Sequence, residues 1–373
     1  MRTGMQRKIK LSVLLGATVA SLAHAGATMP IGDDKSLSVG FGARGSYTSA
    51  KDGAPDGSSR SNDFNLDSAR LFLGASLNKN IKGMLNTEWD GDQIRVLDAA
   101  AQFAFSPELN VWAGRLLSPS DRANMAGPYY SLGGGYWAGV ASRYGYNGGI
   151  FRGRDDGIVV WGNAADGRLG YSFGAFEGHT FGIGSLTQKE AKAAGIKADD
   201  SLMYSGRVQY DFWDGEPGYY GTGNYLGSKD ILAIGLAGRY QKDGVLTVAR
   251  NGDYKAWNLD FLLEKRIGTG AVSVEAAYYN YRNGDVILAE QGKAWSAGLA
   301  YVFNLAPGQG KLQPFVQYQK FKPDNNIDVK QSDVGLNYII DGYNAQLSAK
   351  YSKTETVAAA DQSKFVVALQ VQY

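Results

Sequence analysis

The chain has 373 residues, 50 glycines, 23 tyrosines, no cysteine and a formal net charge of +2. Without cysteine it carries no disulfide, thiol nucleophile or thiolate metal site. The charge is too balanced, and too free of Lys/Arg-rich runs, for nucleic acid to be the partner.

Arg2, Arg7, Lys8 and Lys10 precede an apolar stretch from Leu11 to Ala23 and the small-residue site Ala23-His24-Ala25. This pattern predicts a secretory signal peptide over residues 1–25, with a retained anchor as the alternative. Its removal takes four basic residues and no acidic one, so residues 26–373 carry a net charge of −2. Nothing in that remainder reads as a membrane-spanning helix. A closed barrel can nevertheless sit in a bilayer, because closure satisfies every backbone N–H and C=O.

Period-two alternation between turn residues predicts sixteen strands, at 36–48, 66–78, 81–90, 97–105, 109–117, 156–163, 168–176, 202–212, 230–241, 254–266, 271–282, 294–303, 311–321, 331–340, 344–352 and 364–373. Most are near the roughly 9 to 11 residues that a tilted membrane strand needs. In the first, Leu37, Val39, Phe41, Ala43 and Tyr47 oppose Ser38, Gly40, Gly42, Arg44 and Ser46; in the final one, Phe365, Val367, Leu369, Val371 and Tyr373 oppose Val366, Ala368, Gln370 and Gln372. An apolar row facing lipid and a polar row facing a wet lumen produce this alternation. The fold class is therefore all-β: a transmembrane antiparallel barrel of about 16 strands in a single domain over 26–373.

Connection lengths give the barrel a direction. Tight turns at 78–80, 106–108, 164–167, 267–270 and 341–343 alternate with longer polar stretches at 49–65, 118–155, 177–201, 242–253, 283–293, 322–330 and 353–363. Short periplasmic turns and long outer loops are the outer-membrane arrangement. The stretch from Trp213 to Lys229 is long for a periplasmic turn and 91–96 short for an outer loop, which leaves 14 and 18 strands as alternatives. Aromatics fall at both rims: Tyr47, Trp89, Tyr240, Trp257, Tyr278, Trp295 and Tyr351 at the outer one, Phe105, Phe212, Phe303 and Tyr373 at the other. A secreted β-sandwich would explain such residues singly but not their banding.

Catalytic chemistry finds little support. Gly40 to Gly45 match the spacing G-x-G-x-x-G, but the alternation continues through them, so they read as wall-thinning glycines of a strand rather than a phosphate loop. Beyond the signal peptide the only histidine is His179, in an outer loop, which leaves a barrel hydrolase without a partnered base. No metal-ligand spacing appears, and no cofactor is expected. By alternation the lumen wall carries Arg44, Arg70, Lys82, Arg115, Arg207 and Arg239 among its basic residues, faced by Glu88, Asp98, Asp260, Glu264 and Asp333 among others. The longest connection, 118–155, holds Arg122, Arg143, Arg152 and Arg154 with many aromatics and glycines, and is expected to fold into the lumen and narrow it, an external cap being the alternative.

Three segments carry a resemblance: Leu66-Asp67-Ser68-Ala69-Arg70-Leu71, Val96-Leu97-Asp98-Ala99-Ala100, and Trp112-Ala113-Gly114-Arg115-Leu116-Leu117-Ser118-Pro119-Ser120. Over roughly residues 66–130 the chain resembles the phosphate-selective porin O and P family. The resemblance implies a sixteen-stranded, trimeric porin of the bacterial outer membrane, constricted by inward loops, in which arginines lead anions. Arg70 and Arg115 carry over by motif. The chain departs from phosphate-specific members in its mixed lumen lining and net negative balance. The expectation is a water-filled channel for passive diffusion of small hydrophilic solutes and ions, with outer-membrane lipid, transiting anions and sister subunits as its partners; a plugged barrel that binds a partner is the alternative.

Overall fold

The computed structural model describes residues 26–89, 91, 93–135, 138–144, 153–178, 188–196, 199–247, 249–304 and 310–373. Its strands are β1 (Ala27–Gly32), β2 (Lys35–Ala50), β3 (Asp63–Ser76), β4 (Ile81–Trp89), β5 (Ile94–Ser106), β6 (Leu109–Leu117), β7 (Arg154–Ala164), β8 (Leu169–Phe176), β9 (Met203–Asp211), β10 (Ile231–Leu246), β11 (Asn251–Ile267), β12 (Gly270–Arg282), β13 (Gly292–Phe303), β14 (Lys311–Pro323), β15 (Val329–Asp341), β16 (Ala345–Thr356) and β17 (Gln362–Gln372). Two short helices, α1 (Arg122–Ala126) and α2 (Gln188–Ala193), lie in the connections after β6 and β8.

Strands β2 to β17 pair antiparallel with their chain neighbours, and β17 returns to β2, closing a sixteen-stranded barrel. Each of the sixteen expected strands is present. The additional strand, β1, is an element that alternation did not reveal. On β2, the pairing with β17 runs from Ala50 to Gly42, and Tyr373 and Phe41 exchange backbone hydrogen bonds at 2.7 Å. Below that point β1 takes over the same edge, opposite Lys35 to Val39, so β2 has backbone partners along its whole length.

The two faces of the wall differ as the alternation predicts. On β10 and β11, Ile234, Leu236, Trp257 and Leu259 point outward and are exposed, whereas Arg239, Asn258, Asp260 and Glu264 point inward and are buried. Phe105, Phe212, Phe303 and Tyr373 are exposed at one end of the barrel, and Tyr240, Trp257 and Tyr351 toward the other. Lipid rather than water is the medium that matches this belt. Leu236, paired to Leu259 in mid-strand, tests it: Leu236→Arg should destabilise the barrel by about 2–4 kcal/mol in urea titrations in vesicles. Unchanged stability would show that this face does not contact hydrocarbon.

Candidate solute pathway and its constriction

Two segments of the chain occupy the lumen. The first leaves β6 at Ser118 and runs to Tyr144. Asp121 precedes α1 in extended conformation, and Gly127, at φ +65°, ends the helix just before Pro128. Ser118, Ser120, Asp121 and Asn124 are fully buried, and the wall holds the segment on several sides. Tyr279 Oη of β12 donates to Asp121 at 2.9 Å, and Gln319 of β14 accepts the N–H groups of Val140 and Ala141 at 2.7 and 3.1 Å. Asn337 of β15 donates to the Leu132 carbonyl at 2.7 Å, and Gln370 of β17 to that of Tyr129 at 3.0 Å.

The second segment is the long connection from Phe212 to Asp230, at the short-turn end. It rises to meet the first. Gly223 N–H donates to the Tyr130 carbonyl at 2.8 Å, and Tyr219 Oη to that of Leu117 at 2.5 Å. Tyr225 and Gly227 donate their N–H groups to Glu264 on the wall at 2.7 and 2.5 Å.

The arginines join these parts. Arg122 grips Glu216 of the second segment with two bonds, 2.8 and 2.6 Å, and donates to Gln209 and to the Thr222 carbonyl, each at 3.0 Å. Arg207 of β9 grips Asp260 of β11 in the same forked way, at 2.5 and 2.8 Å, and reaches the Ser120 carbonyl at 3.1 Å. Arg239 lies over the Tyr144 ring and donates to Ser118 Oγ at 2.7 Å and to the Tyr144 carbonyl at 3.1 Å. Arg143 pairs with Glu290 and lies over Phe321. These four guanidiniums thus turn their terminal nitrogens to fixing the first segment and the wall around it.

Arg44 and Arg70 flank Tyr129, with their guanidinium carbons 5.9 and 4.9 Å from the ring centre. Such cation–ring contacts are worth about 0.5–2 kcal/mol. Arg70 also donates to Glu88 at 2.8 Å, and the Tyr129 hydroxyl lies 3.1 Å from Ser68 Oγ. Gly42 makes room for the ring, since a Cβ there would stand 3.0 Å from it. Gly135, at φ +96°, brings the segment so near Arg44 that a Cβ would meet Nη2 at 2.5 Å. Arg154 donates to Asp98 at 2.9 Å.

Two of the ten candidate arginines and lysines depart from expectation or description. Arg115 faces outward, not into the lumen. It pairs across β6 and β7 with Asp156, at 2.7 and 2.8 Å, on the side of Val111, Ala113, Ile158 and Val160. The reason is its parity with Val111 and Ala113: the buried face of β6 is Asn110, Trp112 and Leu116, and Leu117, of Arg115's parity, is buried at the strand's end where the inward segment begins. Arg152 lies outside the described residues, as does His179. Lys82 is exposed, near the short-turn end of β4.

Burial, and after it the nearby Asp260 carboxylate, push the Asp121 carboxyl up to about 6, against the hydrogen bonds from Tyr279 and Ser142 and the charge of Arg207. Glu216 is equally buried, which works to raise it, but the charge and hydrogen bonds of Arg122, helped by Tyr225, hold it below the usual carboxylate range.

Beside the packed segments, among the described residues, lie two cavities of note. One, of about 570 Å³, lies between the first segment and β3 to β5, with Arg70, Asp98, Tyr129 and Arg154 on its walls. The other, of about 500 Å³, lies toward β7 to β9, against Trp161, Ser172, Arg207 and Glu216. Met125, Tyr220 and Gly221 line both.

A closed sixteen-stranded barrel with an apolar belt outside, charges inside and a long connection packed in the lumen defines an outer-membrane barrel of the porin type. No family model and no curated protein matches the sequence. Solved structures do match in fold. The anion-selective porin from Comamonas acidovorans aligns at 13% identity over 91% of this chain and all of its own, with a TM-score of 0.59. The trimer form of OmpT from Vibrio cholerae gives 13%, 91%, all and 0.56. The outer membrane channel DcaP of Acinetobacter baumannii gives 9%, 93%, all and 0.57. At such identities the likeness is one of fold, and it is to outer-membrane porins and channels broadly rather than to phosphate-selective members.

Proposed function

We propose that the chain is a passive outer-membrane channel for small hydrophilic solutes, with its cross-section set by the two segments packed in its lumen and with a weak preference for anions. The supporting observation is the pair of cavities that meet at Met125, Tyr220 and Gly221, beside segments that fill the rest of the lumen. Solutes enter past Arg44, Arg70 and Arg154, which are offset by Glu88 and Asp98. Guanidiniums and carboxylates mixed along this wall bias ions weakly and exclude neither sign. Selectivity for phosphate would rest on the motif resemblance over residues 66–130 alone, and Arg115, one of its two carried-over arginines, faces away from the path. A homotrimer is the assembly we propose, by analogy with the trimer form of OmpT.

Purified protein in planar bilayers should give small unitary currents and, in a KCl gradient, a reversal potential displaced modestly toward that of chloride. A potential near that of potassium would overturn the arginine roles. A plugged barrel is the competing reading, favoured by the close packing of the two segments; absence of any ion current would establish it in place of the channel.

A further inference from the structure

The two cavities share Met125, Tyr220 and Gly221, and this junction lies beside an aromatic cluster. Trp112 of β6 and Trp161 of β7 lie edge to face at 5.2 Å, and Tyr219 and Tyr220 pack against Trp112 at 4.9 and 6.0 Å. The charges around them are matched within the walls: Arg122 on Glu216, Arg207 on Asp260, Arg154 on Asp98 and Arg70 on Glu88. An ion binding here would have to draw one member out of a buried pair, which is strongly unfavourable.

Apart from the Nε of Arg122, whose guanidinium charge is already matched by Glu216, the polar atoms at the junction that find no partner among the described residues are neutral. They are the Trp161 indole N–H, the Tyr220 hydroxyl and the Asn124 side-chain carbonyl. They comprise a donor, a hydroxyl that can give or accept, and an acceptor. Buried groups of this kind are costly until a partner arrives. Broad aromatic faces beside neutral, unmatched hydrogen-bonding groups call for a solute with a flat apolar side and hydroxyls at its edge. Phosphate offers nothing to the rings, and an aromatic carboxylate needs a cation that is not already matched.

We infer that this junction is a binding station for a neutral hydroxylated ring, of the sugar or cyclic-polyol class. The inference rests on the channel reading and names what the channel would hold on the way through. The rings of Trp161, Tyr219 and Tyr220, with Trp112 packed behind them, take the apolar face, and the three neutral groups take hydroxyls.

The full-length protein is tested with glucose, myo-inositol, benzoate and inorganic phosphate, by tryptophan fluorescence in detergent micelles and by current interruptions in planar bilayers. Glucose or myo-inositol should change the fluorescence saturably and interrupt the current, with benzoate and phosphate silent. Trp161→Phe and Tyr220→Phe keep the ring packing and should each weaken the apparent affinity roughly 2- to 10-fold, the worth of one neutral hydrogen bond. A response to benzoate or phosphate with the neutral probes silent overturns the inference, and so does an affinity unchanged in both variants. The two readings fail separately. A saturable sugar response in micelles with no ion current supports the station and removes the channel. Ion current without any sugar response removes the station and keeps the channel.

Discussion

Glu216→Ala should raise the single-channel conductance and expose the Ser118 to Tyr144 segment to protease. Glu216 and Arg122 form the forked pair that ties the two inward segments together, at 2.6 and 2.8 Å and almost wholly buried. Removing one partner of a buried pair leaves the other charge uncompensated, at a cost of about 3–5 kcal/mol. Gln209 and the Thr222 carbonyl remain as neutral partners for Arg122, so the lower end of that range applies. The strain is relieved most easily by withdrawing Arg122, and α1 with it, from the lumen. The double variant Arg122→Met/Glu216→Leu distinguishes this from a general loss of fold. It replaces the pair by apolar groups of similar length and should lie nearer the wild type than Glu216→Ala does. Unchanged conductance and protease resistance in Glu216→Ala would show that the pair does not hold the constriction.

Period-two alternation carries the wall because each inward or outward choice is repeated along a strand, and a one-residue slip would set charges such as Asp260 and Glu264 against lipid. It is blind to β1. All six residues of Ala27 to Gly32 are exposed, so no alternation marks them, and Pro30 reads as a breaker although an edge position tolerates it. What calls for β1 is the overhang of β2 below Tyr373, which only register reveals. The tip of β10 was hidden for a related reason. Lys242, Asp243 and Gly244 look like a turn, yet the ladder resumes at Val245 after an irregularity beyond Gln241.

The site was legible by face and illegible by partner. Alternation placed Arg207, Arg239 and Asp260 in the lumen, but nothing in their spacing says that Arg207 would close on Asp260, 53 residues away, or Arg122 on Glu216, 94 away. Such pairings are set by which strands become neighbours and by where a loop returns. Arg115 shows the opposite error. Alternation along the chain and a local motif both assign it to the lumen, whereas in the structure it shares the outer face of β6 with Val111 and Ala113. The second inward segment did leave a trace. A connection at the short-turn end that contains Tyr219, Tyr220 and Tyr225 carries more aromatic surface than a solvated turn needs, and burying that surface is what draws it into the barrel.

The constriction should also respond to pH, with opposite contributions from two carboxyls. Asp121 has its folded value, about 6, above the ordinary aspartate value. A raised carboxyl favours the folded arrangement while protonated, so its contribution is present at low pH and is lost as pH rises from about 4 through about 6. The full difference is on the order of 3 kcal/mol. Glu216 has the reverse sign. Its folded value lies below the usual range, so its stabilisation is present above that range and is lost as pH falls through the folded value. The two contributions are jointly largest at about pH 4 to 4.5, where Glu216 is ionised on Arg122 and Asp121 holds its proton beside Asp260. Packing of the Ser118 to Tyr144 segment should therefore be tightest there, and conductance should climb from about pH 4.5 through about pH 6 and level off by about pH 7.5. Asp121→Asn, neutral throughout, should flatten that climb while leaving the loosening below about pH 4.5 that comes from Glu216. Conductance that is level from pH 5 to 7.5 in the wild type, or a climb that survives in Asp121→Asn, would exclude Asp121 as the titrating group.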